Sequence, residues 1–220
     1  MASFTVIFKS LAPEAVAGFG QISGPALADW AASQTRFPQR DVTEMTPDRQ
    51  LEHWCVDQAL RSLGLPDAPI DHNADGKPFL PEQPERHLSI AHHTGPAGCW
   101  AAASVAAHPV GIDVERERDQ ILRIAPRFLH PDEVEALAGS VAGMTVLWAA
   151  KECMFKALGP GLDFREDIRV DWHGLDKALG EGLTGSVREV PGQYRLERLH
   201  GMGAALDVAP EAWLVLGPLP

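Results

Sequence analysis

In the first half of the chain, some segments have the apolar and β-branched character of a strand, and others have the spacing of three and four residues that is typical of a helix. β-Branched and aromatic residues at 4–8 predict a first strand, and an alanine-rich segment at 24–34 predicts a short helix. Thr46 and Pro47 predict the start of a longer helix, because Thr can cap a helix and Pro suits its first position. Apolar residues spaced three and four apart give that helix one buried face.

The stretch that follows this helix predicts a loop and several short strands. Residues 66–86 are rich in Pro, Asp, Asn and Gly, which predicts a loop. A short strand is predicted to end in a His-His-Thr-Gly turn at 92–95. Small and β-branched apolar residues at 99–105 and 110–114 predict two strands that pair with each other across a turn.

The second half begins with helical patterns and ends with strand patterns. Helices are predicted at 119–128, 131–138 and 145–158. Strands are predicted at 168–172, 183–187, 194–199 and 212–216. This order predicts an α+β fold with an N-terminal lobe at 1–107 and a C-terminal lobe at 108–220.

Composition and charge disfavour several classes of protein. The net charge of −11 disfavours non-specific nucleic-acid binding, which needs a basic surface. No apolar run approaches the ~20 residues of a membrane span, and residues 1–9 lack the pattern of a signal peptide. Three widely spaced cysteines predict buried free thiols in a reducing compartment, so the chain is predicted to be cytoplasmic.

Asp113 and Glu115 lie two residues apart in a predicted strand, so their side chains point to the same face. Two neighbouring carboxylates repel each other unless a cation, a proton or a basic group lies near them. Magnesium suits such a pair, because it binds a few carboxylates together with water and substrate phosphates. The alternative is an ordinary strand end that enters a charged loop with solvated salt bridges.

Glu152 and Lys156 are one turn apart on the predicted helix at 145–158. One hypothesis makes Glu152 a third carboxylate for the metal, with Lys151 and Lys156 reaching phosphates. The alternative is an amphipathic core helix in which Glu152 and Lys156 form an ordinary ion pair.

Two shorter motifs come earlier in the chain. The segment from Leu88 to Gly95 contains His, Thr and Gly, whose imidazolium, hydroxyl and backbone N–H groups suit phosphate. Lys77 lies in an Asp-Gly-Lys-Pro sequence that predicts a turn. Alone, each motif is also compatible with a structural or exposed position.

Together, the four segments resemble the motifs of one family, in one order. The chain resembles the 4′-phosphopantetheinyl transferase superfamily in its long, single-chain, surfactin-synthetase-activating form. The matching motifs are Gly76-Lys77-Pro78, Ser89-Ile90-Ala91-His92, Gly111-Ile112-Asp113-Val114-Glu115 and Trp148-Ala149-Ala150-Lys151-Glu152-Cys153-Met154-Phe155-Lys156.

The resemblance implies Mg²⁺-dependent transfer of the phosphopantetheine arm of coenzyme A to a serine of an apo acyl or peptidyl carrier protein. Adenosine 3′,5′-bisphosphate would be released. The implied metal ligands are Asp113, Glu115 and Glu152. The residues implied to contact coenzyme A are Lys77, Pro78, Ser89, His92, Lys151 and Lys156. The implied catalytic residues are Glu152, Lys156 and Glu115, with Glu152 as the base and Glu115 or a metal-bound water as alternatives.

The resemblance also implies the architecture and the partners. Two similar α/β lobes related by a pseudo-two-fold would hold the coenzyme in the cleft between them, so one chain could act as a monomer. An acidic carrier protein could dock on the basic residues Arg116, Arg118, Arg123 and Arg127, although a solvated helix face is the alternative.

Three positions differ from the family's pattern. Ala91 and Ala149 stand where a hydroxyl residue is usual, and Asp57 stands where an Arg on the first long helix often contacts the coenzyme. Asp57 is therefore predicted to repel a phosphate, with Arg49 or Arg61 as possible substitutes for the missing Arg.

Two other functions are compatible with the same carboxylates. One is a Mg²⁺-dependent phosphodiesterase or nuclease, which the acidic composition disfavours. The other is a non-catalytic protein that binds coenzyme A or a carrier, which the complete set of three carboxylates disfavours.

Overall fold

A computed structural model describes residues 5–199 and 211–219 of the chain. These residues form two compact units, the first ending at His108 and the second beginning at Pro109. Each unit contains an antiparallel sheet with helices packed against it. The α+β class predicted from the order of elements is confirmed.

The first unit is built on a four-stranded sheet. Its elements are β1 (Thr5–Ala12), β2 (Ala15–Gln21), α1 (Pro25–Ser33), α2 (Pro47–Ser62), β3 (Asp71–His72), β4 (Pro78–Phe79), β5 (His87–Gly95) and β6 (Gly98–Ala106). The strand order is β1-β2-β6-β5, and each neighbouring pair is antiparallel. Helix α2 packs on this sheet through the buried side chains of Trp54, Cys55 and Leu60.

The second unit is built on a five-stranded sheet. Its elements are β7 (Gly111–Glu115), α3 (Gln120–Ile124), α4 (Pro131–Leu137), α5 (Val141–Leu158), β8 (Ile168–Asp171), α6 (Leu175–Glu181), β9 (Leu183–Val187), β10 (Val190–Leu199) and β11 (Ala212–Gly217). The strand order is β7-β11-β10-β9-β8. Helix α5 packs against β7, β11 and β8, with Leu147, Cys153 and Met154 fully buried.

Most predicted elements are present, with shifted ends. Strand β1 confirms the first predicted strand, although Phe4 lies outside the described residues. Helix α5 begins at Val141 rather than at residue 145, because Ser140 Oγ accepts a hydrogen bond from the Gly143 N–H at 3.1 Å. Thr46 precedes α2 as predicted, but within the described chain its side chain makes no capping hydrogen bond.

Two predicted features of the middle of the chain are wrong. The segments 99–105 and 110–114 do form strands, but β6 pairs with β2 and β5, whereas β7 pairs with β11. The His-His-Thr-Gly segment at 92–95 is not a turn, because it lies inside β5 and pairs with β6 up to Gly95↔Gly98. Local propensity identifies strands, but contacts between distant residues decide which strands pair.

The sequence pattern does not predict strand β2, the β3–β4 hairpin or helix α6. The predicted loop at 66–86 contains a short hairpin in which β3 pairs with β4. Asn73 stabilises its turn, since Oδ1 accepts hydrogen bonds from the N–H groups of Asp75 and Lys77 at 3.1 and 2.9 Å. Helix α6 lies between Gly174 and Gly182, and its seven residues are too few to show a clear helical period.

A buried ion pair fixes α2 in the first unit. Arg36 Nε lies 2.6 Å from Asp57 Oδ1, and both side chains are 2% exposed. Arg61 Nε and Trp30 Nε1 donate to the other oxygen, Asp57 Oδ2, at 3.0 and 3.2 Å. The prediction that Asp57 repels a phosphate is therefore wrong, because this carboxylate is buried and neutralised within the unit. Arg61 is the partner of Asp57, which removes it as the simplest substitute for a coenzyme-binding arginine.

The three cysteines are buried and free, as predicted. Burial raises the pKa of the Cys55 thiol and of the Cys153 thiol, which keeps both protonated and unreactive. Among the described residues, no helix has the length and apolar content that crossing a membrane requires.

Candidate functional site

Gly111 allows strand β7 to lie directly against helix α5. A Cβ atom at this position would come within 1.8 Å of the Cys153 carbonyl oxygen, so a larger residue would force the strand and helix apart. Cys153 Sγ donates to the Gly111 carbonyl at 3.2 Å across the same contact. The glycine of this motif therefore brings the carboxylates of β7 next to the charged side chains of α5.

Asp113 and Lys156 form the central ion pair of the site. Lys156 Nζ lies 2.6 Å from Asp113 Oδ1 and also donates to the Ile112 carbonyl at 3.3 Å. Burial raises the pKa of Asp113 above its ordinary value, and the positive charge of Lys156 opposes that increase. Lys156 is thus paired with Asp113 across two elements rather than with Glu152 along the helix.

Glu115 lies at the end of the same strand and is held by Trp148 of α5. Trp148 Nε1 donates to Glu115 Oε1 at 3.0 Å, and Arg118 Nη2 lies 3.6 Å from Glu115 Oε2. The Trp148 ring is itself stacked on Phe164, with ring centroids 5.7 Å apart. Asp113 and Glu115 therefore both face α5, as strand alternation predicts.

Glu152 is the third carboxylate and lies on α5, one turn before Lys156. Burial, followed by the negative charge of Asp113, raises the pKa of Glu152 to about 7, while Lys156 opposes the increase. A carboxyl group with this pKa exchanges its proton near neutral pH. Glu152 therefore has the titration behaviour of a general base, in a cluster with Asp113 and Lys156.

The three carboxylates have the donor chemistry for Mg²⁺. Asp113 Oδ2 is buried and, among the described residues, has no hydrogen-bond partner, so a cation at that oxygen would offset its lost hydration. Carboxylate oxygens are the protein ligands that Mg²⁺ prefers. However, no group of three His, Cys, Asp or Glu side chains in the described ranges is already arranged around a common metal position. Asp113 is thus the residue whose environment fits a metal best.

Lys151 does not reach phosphates, which corrects the prediction for this residue. Its side chain is 0% exposed, and Nζ lies 2.7 Å from Glu133 Oε2. Nζ also donates to the carbonyls of Phe164 and Ile168 at 2.7 and 2.6 Å, so all three N–H groups are used. Lys151 is therefore a structural residue that joins α4, α5 and the segment before β8.

The predicted coenzyme contacts of the first unit have different environments. Ser89 is 2% exposed, so its hydroxyl lies in the core and is not accessible to a ligand, which corrects that prediction. His92 is on the exposed part of β5, with Nδ1 3.7 Å from Glu52 Oε1. Lys77 precedes Pro78 of β4, and burial lowers its pKa. The charge of Lys77 also contributes, after burial, to the lowered pKa of His87, so the two groups are neighbours.

A cavity in the first unit contains residues that the sequence pattern did not identify. It has a volume of about 200 Å³ and is lined by Phe37, Gln39, Arg40, Ile70 and His72. Within the residues that the structure describes, no carboxylate forms an ion pair with Arg40. An arginine without a counter-charge beside a cavity is a candidate anion site. No local sequence signal marks this cavity, because its lining comes from the loop after α1 and from the segment that leads into and includes β3.

Comparison with known proteins places the second unit in one family. Residues 109–201 match the 4′-phosphopantetheinyl transferase superfamily. The chain is also similar to a 4′-phosphopantetheinyl transferase of Bacillus subtilis, with 32% identity over 116 residues, or 50% of each chain. It is 34% identical to the transferase gsp of Aneurinibacillus migulanus over 110 residues, which are 47% of this chain and 44% of that protein.

The transferase Sfp of Bacillus subtilis strain 168 is 32% identical over 97 residues, or 42% of each chain. The chain spans about half the length of the curated relatives it matches. These similarities confirm the resemblance that the Gly-Ile-Asp-x-Glu and Trp-x-x-Lys-Glu motifs predicted.

Proposed function

Because the chain belongs to the 4′-phosphopantetheinyl transferase superfamily, we propose that it transfers the phosphopantetheine arm of coenzyme A to a serine of an acyl or peptidyl carrier protein. One observation carries the proposal: Lys156 Nζ lies 2.6 Å from Asp113 Oδ1, beside a Glu152 whose pKa is about 7. This cluster combines a cation for phosphate, a carboxylate for a metal and a proton acceptor.

The second unit supplies the groups that would act on the pyrophosphate. Asp113, Glu115 and Glu152 would hold Mg²⁺, which when bound offsets negative charge on the pyrophosphate oxygens. The Lys156 side chain is 28% exposed, so its ammonium group can also contact a phosphate while Asp113 orients it. Positioning and charge neutralisation account for most of the catalysis in reactions of this class.

Glu152 would take the proton of the carrier serine. As the serine oxygen attacks the β-phosphorus of coenzyme A, a new P–O bond forms and the bond from that phosphorus to the bridging oxygen breaks. The proton passes to the Glu152 carboxylate, and adenosine 3′,5′-bisphosphate leaves with the bridging oxygen. Glu115 is the less suitable base, because Trp148 and Arg118 already contact its two oxygens.

The first unit would bind the nucleotide end of coenzyme A. Lys77 and His92 remain the predicted contacts of the nucleotide. Arg40 is proposed as a third contact, because it lines a cavity and, among the described residues, forms no ion pair with a carboxylate. The pseudo-two-fold arrangement and the cleft implied by the resemblance also stay predictions. Docking of an acidic carrier protein is proposed at three exposed arginines of the second unit, which are Arg118, Arg123 and Arg127.

Release of adenosine 3′,5′-bisphosphate tests this function against its rivals. With coenzyme A and Mg²⁺ present, the product is expected only when an apo carrier protein is added, in amounts that match the carrier. A chelator is expected to stop the release, and added Mg²⁺ to restore it. Release without any carrier would instead indicate a phosphodiesterase, and no release with carriers from several pathways would favour a non-catalytic binder.

The pH dependence of transfer follows from the pKa of Glu152. If Glu152 accepts the serine proton, kcat/KM at limiting Mg²⁺ rises as pH increases through about 7, the pKa of that carboxyl. Bound Mg²⁺ favours the ionised form, so saturating metal is expected to move the midpoint to lower pH. A profile that is flat between about pH 6 and 8 at both Mg²⁺ concentrations would contradict the assignment.

A further inference from the structure

Arg40 lies between two histidine side chains from different elements of the first unit. Its Nη1 is 3.3 Å from His53 Nε2 of α2, and its Nη2 is 3.2 Å from His72 Nε2 of β3. Each terminal nitrogen of the guanidinium group therefore has one imidazole nitrogen as its partner. This arrangement fixes the orientation of the guanidinium plane beside the cavity that Arg40 and His72 line.

Because arginine only donates hydrogen bonds, it determines the protonation state and the tautomer of the two imidazoles. A guanidinium group can only donate hydrogen bonds, so Nε2 of His53 and Nε2 of His72 must both accept. An imidazole that accepts at Nε2 carries its proton on Nδ1 and is neutral. For His53 a second contact agrees, because Nδ1 lies 2.8 Å from the Arg49 carbonyl oxygen, to which it donates.

The surroundings of His53 keep it neutral and in place. Its side chain is nearly buried, and its ring packs edge-to-face against Phe37 with centroids 4.7 Å apart. Arg40, Arg49 and Glu52 are the charged groups near it. Burial is the main reason that the pKa of His53 is lowered, and the charge of Arg40 lowers it further.

His72 has a similar but more open environment. Its charged neighbours are Arg40 and Asp71, and His53 also lies close to it. Burial and then Arg40 lower the pKa of His72, while Asp71 opposes them. Each carboxylate oxygen of Asp71 already accepts one hydrogen bond, from Gln39 Nε2 at 2.6 Å and from the His72 N–H at 2.7 Å.

The two imidazoles leave part of the guanidinium group available. Arginine has about five N–H donors, and in the described part of the chain its contacts are those with His53 and His72. The other donors and the full positive charge remain for an anion. Neutral imidazoles orient Arg40 without neutralising it, whereas a carboxylate partner would do both.

We propose that His53 and His72 are positioning residues, which as neutral imidazoles protonated on Nδ1 hold Arg40 at the cavity so that its remaining N–H groups bind a phosphate of coenzyme A. This inference rests on the proposed function for the identity of the ligand. The orientation of Arg40 by the two imidazoles does not depend on that function, and it can be measured separately.

The first experiment determines the tautomers by NMR of the imidazole nitrogens in the full chain at neutral pH. Variants His53→Gln and His72→Gln assign the signals. Both residues are expected as the Nδ1–H form, although free imidazole side chains favour Nε2–H. In Arg40→Met, the His72 pKa is expected to rise and its Nε2–H form to appear, while His53 stays Nδ1–H because of the Arg49 carbonyl. An Nε2–H form of His53 or His72 in the unchanged chain would overturn the inference.

The second experiment measures binding of adenosine 3′,5′-bisphosphate by calorimetry. His72→Leu removes the acceptor for Arg40 and is expected to weaken binding about tenfold, whereas His72→Gln keeps an acceptor and weakens it less than about threefold. His173→Gln, an exposed histidine of the second unit, is the control without effect. Equal losses for the Leu and Gln variants, or no binding to the unchanged chain, would overturn the proposed role.

The two experiments separate this inference from the proposed function. If the tautomers and the binding follow expectation but no carrier is modified, the positioning role stands and the transferase proposal fails. If carriers are modified but the tautomers differ or the two His72 variants behave alike, the transferase proposal stands and the positioning role fails.

Discussion

Replacing Glu152 with Gln is expected to lower the rate of phosphopantetheine transfer by about 10²- to 10⁴-fold. The amide has nearly the same shape as the carboxyl group but cannot accept the serine proton or ligate Mg²⁺ as strongly. Single-turnover transfer at pH 8 with saturating coenzyme A and Mg²⁺ measures the effect. Turnover within a factor of about three of the unchanged protein would rule out Glu152 as the base.

Stability provides a second readout for the same variant. Burial and the charge of Asp113 raise the pKa of Glu152 from 4.5 to about 7, so the folded chain binds this proton more tightly than the unfolded chain. Glu152 therefore lowers stability as pH rises between these two values. The Gln variant is expected to be as stable as the parent or more stable at pH 8. Glu135→Gln, at an exposed position of α4, is the control that should change neither activity nor stability.

Replacing Glu133 with Gln is expected to destabilise the second unit by about 3–5 kcal/mol. The change leaves the Lys151 ammonium group, 0% exposed, without a carboxylate. Glu133 also accepts hydrogen bonds from the N–H groups of His130 and Val170 at 2.8 and 2.9 Å, one on each carboxylate oxygen. Because Gln keeps only one of these oxygens, either the start of α4 or strand β8 loses an acceptor as well. Urea denaturation followed by tryptophan fluorescence measures the loss.

Lys177→Gln is the matched control for this prediction. It breaks the Lys177–Glu181 pair of α6, whose side chains are 50% and 71% exposed, and is expected to cost less than about 0.5 kcal/mol. The double variant Glu133→Leu with Lys151→Met removes both buried charges and is expected to recover part of the stability lost in Glu133→Gln. A loss for Glu133→Gln as small as that of the control would show that the buried pair is not structurally important.

The shared face of the two β7 carboxylates, and that of Glu152 and Lys156 on α5, could be predicted because each depends only on local spacing. Two residues along a strand and four along a helix place side chains on one face whatever the rest of the chain does. This spacing predicts that Asp113 shares a face with Glu115, and Glu152 with Lys156. The partner of Lys156 could not be predicted, since it depends on how closely Gly111 lets the strand approach the helix.

Lys151 and Asp57 show what spacing alone leaves undetermined. Lys151 is adjacent to Glu152, yet the helix turns its side chain into the core, where Glu133 neutralises it. The sequence predicts that Asp57 repels a phosphate, yet Arg36 neutralises this carboxylate inside the first unit. In both cases the residue that neutralises the charge lies on another element. The sequence shows that a residue is charged, but it does not show whether its partner is a ligand or another residue of the protein.

Arg40, His53 and His72 had no sequence signal because they come from a loop, a helix and a short strand. None of the three belongs to a motif with fixed spacing. Only the fold brings the Arg40 nitrogens within 3.3 and 3.2 Å of the two imidazoles. The same is true of strand pairing, since β6 and β7 are close in sequence but belong to different sheets.

The most direct test of the proposed function is the intact mass of an apo carrier protein after incubation with this chain, coenzyme A and Mg²⁺. We predict a gain of one phosphopantetheine on a single serine, with no gain when a chelator is present or when Glu152→Gln replaces the parent chain. An unchanged mass for carriers of fatty-acid, polyketide and peptide synthesis alike would contradict the account.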